Sequence, residues 1–213
     1  MSKPVDTVVF DLGNVLIAWD PRRLYRQLID DEERMDWFLR EVCNSAWNEQ
    51  QDAGRPWSEA TALLRGRYPE HADLIDAYHL RWEETLVGPI EGTVALLAEL
   101  KARGVRLLAL TNWSQETFPI ARQRFPFLQW FEGIVVSGEE RLIKPDPRIY
   151  QRLLERYAVD PARALYIDDS QRNVAAAEAL GMHGWWFQEP DDLRARLSEL
   201  DLLDRGEAEA SHG

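Results

Sequence analysis

Val8-Val9-Phe10-Asp11-Leu12-Gly13-Asn14-Val15-Leu16 decides how this chain is read: a short apolar run stops at a carboxylate, and a glycine stands two positions later. Runs of three to six apolar residues, rich in β-branched or aromatic side chains, read as buried strands. Four more follow: Val105 to Leu110, Ile134-Val135-Val136, Leu165-Tyr166-Ile167 and Trp185-Trp186-Phe187. Helical patterns lie between the later ones. Thr93 to Arg103 places Val94, Leu97, Ala98 and Leu100 on one stripe, and Gly104 stops it. Ile149 to Tyr157 and Val174 to Leu180 behave likewise, the latter ending at Gly181. Strands alternating with helices predict an α/β fold, a Rossmann-like parallel sheet flanked by helices.

The stretch from Trp19 to Leu86 breaks that rhythm. It holds no convincing strand, and its helical candidates are Pro21 to Ile29, Glu32 to Val42, Ser58 to Arg65 and Ala72 to Leu86. A helical block inserted after the first strand predicts an α-helical cap over one edge of the sheet. Residues 1–18 and 87–204 are expected to form the core, 19–86 the cap, and the small, polar 205–213 a flexible tail. Ile17-Ala18 and Val87-Gly88-Pro89 are the expected hinges of a cap that shields the reaction from water.

Composition narrows the function. The chain has 213 residues, 45% hydrophobic, which suffices for one ordinary domain with an insertion. Lys plus Arg number 25 against 37 Asp plus Glu, a net charge of -12. Such a surface argues against nucleic acid as a partner, because that affinity rests on cationic contacts. The single cysteine, Cys43, excludes an intramolecular disulfide and a cysteine-based zinc site. No apolar run reaches the roughly 20 residues of a membrane helix. The opening residues carry no apolar signal core, so a cytoplasmic location with no membrane partner is the expectation.

Ligands of open parallel sheets bind beyond the carboxyl ends of the strands. Asp11 follows the first strand, Thr111-Asn112 the second, and Asp168-Asp169 the fourth. Lys144 sits in the loop Leu142-Ile143-Lys144-Pro145-Asp146-Pro147 before a helix. Carboxylates brought together repel and need a cation, and an all-oxygen set suits Mg²⁺. A lysine and a hydroxyl beside that metal make a cradle for a phosphoryl group. A carboxylate touching phosphorus can act as nucleophile.

These motifs resemble the haloacid dehalogenase-like hydrolase superfamily, in the branch with a helical cap after the first strand. Phe10 to Leu16 resembles its first motif, Leu110-Thr111-Asn112 its second, and Lys144-Pro145-Asp146-Pro147 with Ile149-Tyr150 its third. Tyr166-Ile167-Asp168-Asp169-Ser170 with Asn173, Ala175-Ala176-Ala177 and Gly181-Met182 resembles its fourth. The resemblance implies a Mg²⁺-dependent phosphatase that hydrolyses a small phosphorylated metabolite through an aspartyl phosphate. Asp11 would be nucleophile and metal ligand, Gly13 a metal ligand through its carbonyl, Asp169 the main ligand of the fourth motif, and Asp168 its neighbour. Thr111 and Asn112 would hold phosphoryl oxygens, and Lys144 would offset charge.

One departure stands out. The family's usual first motif has a second Asp, a general acid and base, where this chain has Gly13. The form Asp-Leu-Gly-Asn-Val resembles the branch with bacterial sugar-1-phosphate phosphatases. An anomeric phosphate leaves a better leaving group, so a sugar phosphate is the favoured substrate. Asp20 is a candidate replacement for the acid, against the plainer reading of a helix cap. Two other readings are a 2-haloacid dehalogenase and a pseudo-enzyme that binds a phosphorylated ligand. The first expects an aromatic residue at position 13 and Ser-Ser-Asn in the fourth motif, which this chain lacks; Gly13 is the feature that keeps the second open. Among nine tryptophans, Trp47 and Trp113 are the expected substrate contacts: Trp113 follows the second motif, and Trp47 precedes a polar stretch, Asn48 to Gly54, read as a loop. His183 is expected to be structural.

Overall fold

A computed structural model describes residues 4–204, so the expected tail at 205–213 lies outside the described residues. The first strand, β1 (Thr7–Phe10), is buried along its whole length, as a strand covered on both faces must be. After it come a short strand β2 (Ile17–Trp19) and the cap helices α1 (Arg22–Tyr25), α2 (Glu32–Glu41), α3 (Ser45–Asp52), α4 (Trp57–Arg67) and α5 (Ala72–Leu80). The chain returns through β3 (Leu86–Pro89). Strand and helix then alternate: α6 (Glu91–Ala102), β4 (Arg106–Thr111), α7 (Phe118–Arg124), β5 (Gly133–Val136), α8 (Ser137–Glu140), α9 (Pro147–Arg156), β6 (Ala164–Asp168), α10 (Gln171–Glu178), β7 (His183–Trp186) and α11 (Pro190–Glu199).

Five strands form one parallel sheet in the order β5-β4-β1-β6-β7. The α/β, Rossmann-like expectation holds, and all five expected strands are present. The period-two alternation divides the core. Val8 and Phe10 join a cluster that runs on into the cap, while Val9 faces a second cluster with Leu108, Val135, Ile149 and Tyr166. Register aligns the chemistry. Phe10 pairs with Ile167 on one side and Ala109 on the other, so Asp11 and Asp168 stand side by side one residue further on.

The insertion differs from its sequence reading in four places. The expected loop from Asn48 to Gly54 is mostly helix α3, started by Asn44, whose side chain accepts from Trp47 N at 2.8 Å. Its sequence, SAWNEQQD, carries no apolar stripe, which is why periodicity misses it. The expected helix from Ala72 to Leu86 stops at Leu80, and a tighter turn over Trp82–Thr85 leads into β3. The helix expected from Pro21 to Ile29 is one turn long. Finally, the two ends of the insertion pair: β2 and β3 form an antiparallel ribbon in which Ile17 faces Pro89 and Ala18 faces Gly88. Among the described residues, no helix is long and apolar enough to cross a membrane.

Candidate active site

Lys144 organises the carboxyl edge of the sheet. It is buried, and its Nζ lies 2.8 Å from Asp11 Oδ1, 2.8 Å from Asp168 Oδ2 and 3.0 Å from Leu110 O, so all three ammonium hydrogens have acceptors. The Asn112 amide holds the lysine's backbone from both sides, accepting from Lys144 N at 2.8 Å and donating to Lys144 O at 3.1 Å. Asn112 therefore positions the lysine through its side chain.

Asp168 is saturated. Its oxygens accept from Lys144, from Tyr166 Oη at 2.5 Å, from Ser170 N at 2.9 Å and from Asn173 Nδ2 at 3.0 Å. Among the described residues Asp11 is held only through Oδ1, which also accepts from Leu12 N at 2.7 Å, so Oδ2 is left for an incoming atom. Burial pushes the Asp11 carboxyl up to about 7 against the pull of Lys144, and Asp168 adds repulsion. Asp169 is the outer member of the group; partial loss of water and the neighbouring Asp168 raise it. Asn14 holds it, donating through its side chain to Asp169 while its Oδ1 accepts from Trp19 N at 3.1 Å.

Carboxylate oxygens of Asp11, Asp168 and Asp169 lie within 4.8 Å of one another. Two or three carboxylates around one ammonium leave the edge short of positive charge, and hard oxygen ligands suit a divalent cation. The residues present fit such an ion: Asp11 and Asp169 would hold it, beside Asp168, whose oxygens already accept from Lys144, Tyr166, Ser170 and Asn173.

The cavity above this edge has a volume of about 330 Å³. From the sheet it is lined by Asp11, Gly13, Asn112, Lys144 and Asp169, and from the cap side by Trp19, Ser45, Asn48, Glu49, Asp52 and Trp82. Trp113 lines it and packs edge-on against Trp82 at 5.5 Å. Thr111 lies just behind, its buried Oγ without a partner among the described residues. The structure does not bring Trp47 to the cavity. That ring is buried in the cap, edge-on to Trp57 at 5.6 Å and to Tyr78 at 5.2 Å, because α3 turns it inward. Nor does Asp20 reach the cavity: it caps the following turn, accepting from Arg22 N at 2.9 Å. His183 lies within 3.1 Å of Ala162 O, and is not among the lining residues. Two carboxylates that sequence reasoning passed over, Glu49 and Asp52, do line it; the Asn44 cap before an acidic helix end was the available signal.

A buried carboxylate with one oxygen free, an ammonium and a cluster of three carboxylates thus meet at the strand ends of the parallel sheet. The chain belongs to the haloacid dehalogenase-like hydrolase family, whose profile matches residues 5–181. It is 28% identical over 184 residues to the sesquiterpene phosphatase astK of Aspergillus oryzae, covering 86% of this chain and 90% of that one. It is 31% identical over 108 residues to the phosphoserine phosphatase of Thermus thermophilus, covering 47% of this chain and 42% of that one. The fold matches a family enzyme of Bacteroides thetaiotaomicron in complex with magnesium and inorganic phosphate, with a TM-score of 0.66 and 25% identity over 86% of this chain and 94% of that one.

Proposed function

We propose that this hydrolase is a Mg²⁺-dependent phosphatase of small phosphomonoesters, with Asp11 as the nucleophile. The observation that carries the reading is the arrangement around Lys144, which presents one oxygen of Asp11 to the cavity and ties the other. Asp11 Oδ2 attacks phosphorus, the bond from phosphorus to the ester oxygen breaks, and an aspartyl phosphate forms. Water then attacks that phosphorus and returns the Asp11 carboxylate with inorganic phosphate. Lys144 offsets negative charge as it gathers on the phosphoryl oxygens. A Mg²⁺ held by Asp11, Asp169 and the Gly13 carbonyl would neutralise phosphoryl charge and orient the ester.

The cavity walls favour a sugar phosphate. Trp19, Trp82 and Trp113 supply aromatic faces, and Ser45, Asn48 and Glu49 supply hydrogen-bonding groups for hydroxyls. The same indoles suit an apolar group, and the fungal relative is named a sesquiterpene phosphatase, so both kinds of ester belong in the test. That test is phosphate release from sugar 1-phosphates, sugar 6-phosphates and isoprenoid monophosphates, with Mg²⁺ and with chelator. Release that requires Mg²⁺ and disappears in Asp11→Asn is expected. Full activity in excess chelator overturns the proposal.

A further inference from the structure

We propose that Asp52, carried by the cap, is the acid and base of the reaction, in place of the carboxylate absent at position 13. The inference rests on the phosphatase reading above. Asp52 is the last residue of α3 and lines the same cavity as Asp11, Gly13 and Lys144. It is not left to the cap alone to place. Its backbone carbonyl accepts from Ser137 Oγ at 2.6 Å, and Ser137 Oγ in turn accepts from Trp113 N at 2.8 Å. Its carboxylate accepts from Asn48 Nδ2 at 3.2 Å, and the Ser114 backbone N–H is near enough to favour its charged form. Nearby, Trp57 Nε1 donates to Ser114 Oγ at 3.0 Å, and Trp57 N donates to Glu116 Oε1 at 3.0 Å. Ser137, directly after β5, thus fixes the backbone of Asp52, while Asn48 and the loop after β4 stand beside its carboxyl.

The environment suits a group that must both give and take a proton. Burial pushes the Asp52 carboxyl up to about 7, and Glu49, one turn earlier on the same helix, pushes the same way. Lys144 opposes, Asp11 adds to the rise, and Tyr78 of α5 is kept a neutral phenol chiefly by burial, with the Asp52 carboxylate adding to the effect. In the first step Asp11 Oδ2 bonds to phosphorus, the ester bond breaks, and the leaving oxygen takes the Asp52 proton to give the alcohol. In the second, the Asp52 carboxylate takes a proton from water as its oxygen bonds to phosphorus. The bond from phosphorus to Asp11 breaks, and Asp52 is again an acid. With Asp52 in this role, Gly13 does not confine the enzyme to activated leaving groups.

Asp52→Asn keeps the shape and the acceptor for Ser114 N–H but cannot transfer the proton. Wild type and variant are compared on an alkyl phosphate and on p-nitrophenyl phosphate, with Mg²⁺, by rapid quench. On the alkyl ester, kcat should fall by about 10²–10⁴-fold. On p-nitrophenyl phosphate, whose leaving group needs no acid, a burst of one p-nitrophenol per enzyme should precede slow turnover. Gly13→Asp in the Asp52→Asn background should recover alkyl ester turnover, because a Cβ at Gly13 meets nothing within 4 Å and position 13 lines the cavity. An equal loss on both esters without a burst overturns the inference, as does the burst pattern in Glu49→Gln and not in Asp52→Asn. A wild type that releases no phosphate from any ester with Mg²⁺ overturns the phosphatase reading instead.

Discussion

At the scale of residues, the edge of the sheet is a problem of charge. Lys144 is enclosed with two carboxylates, and its value lies in what it prevents. Lys144→Met leaves Asp11 and Asp168 buried without their cation, and breaking such a set by removing one partner costs about 3–5 kcal/mol. Urea unfolding should show that loss. Adding Asp168→Asn should recover part of it, so the double variant is less destabilised than the sum of the singles. This part of the site was legible in the sequence, because Asp11, Asn112, Asp168 and Asp169 each stand at or beside a strand end, where a parallel sheet gathers its chemistry, and Lys144 sits in a short loop before a helix. Asp52 and Trp47 were not. Both lie on a cap helix whose facing depends on packing against residues far along the chain, and sequence order carries no record of that.

At the scale of elements, long or strongly patterned segments were readable and short or polar ones were not. The five core strands follow from their apolar runs. The three- and four-residue strands β2 and β3 are too short for alternation to show, and pairing across 66 intervening residues is what makes them strands. Helix α3 is held by its cap and its docking rather than by an apolar stripe. Asn44→Ala should therefore cost about 0.5–2 kcal/mol, read as a lower urea midpoint. It should also reduce alkyl ester turnover, since α3 carries Asp52 at its far end.

At the scale of the whole molecule, a net charge of -12 and a cluster of carboxylates make a cation a stabiliser of the folded state alone. At a concentration 100 times its dissociation constant, such a ligand adds about 2.7 kcal/mol. For a chain of this size that raises Tm by roughly 5–10 °C. A thermal melt with Mg²⁺ should show the rise, and Asp169→Asn should abolish it. The rise should shrink as pH falls below about 7, because Asp11 then binds a proton that the cation must displace. The β2–β3 ribbon bears on how such an enzyme diversifies. Because the cap leaves and rejoins the core through one antiparallel pair, its two ends sit side by side. A cap of another length or shape can be spliced between Trp19 and Leu86 without moving a catalytic strand end. Selectivity can thus be inherited apart from chemistry, except that here, on the role proposed for Asp52, a lineage that exchanged its cap would have to restore the lost acid, and position 13 is open to receive it.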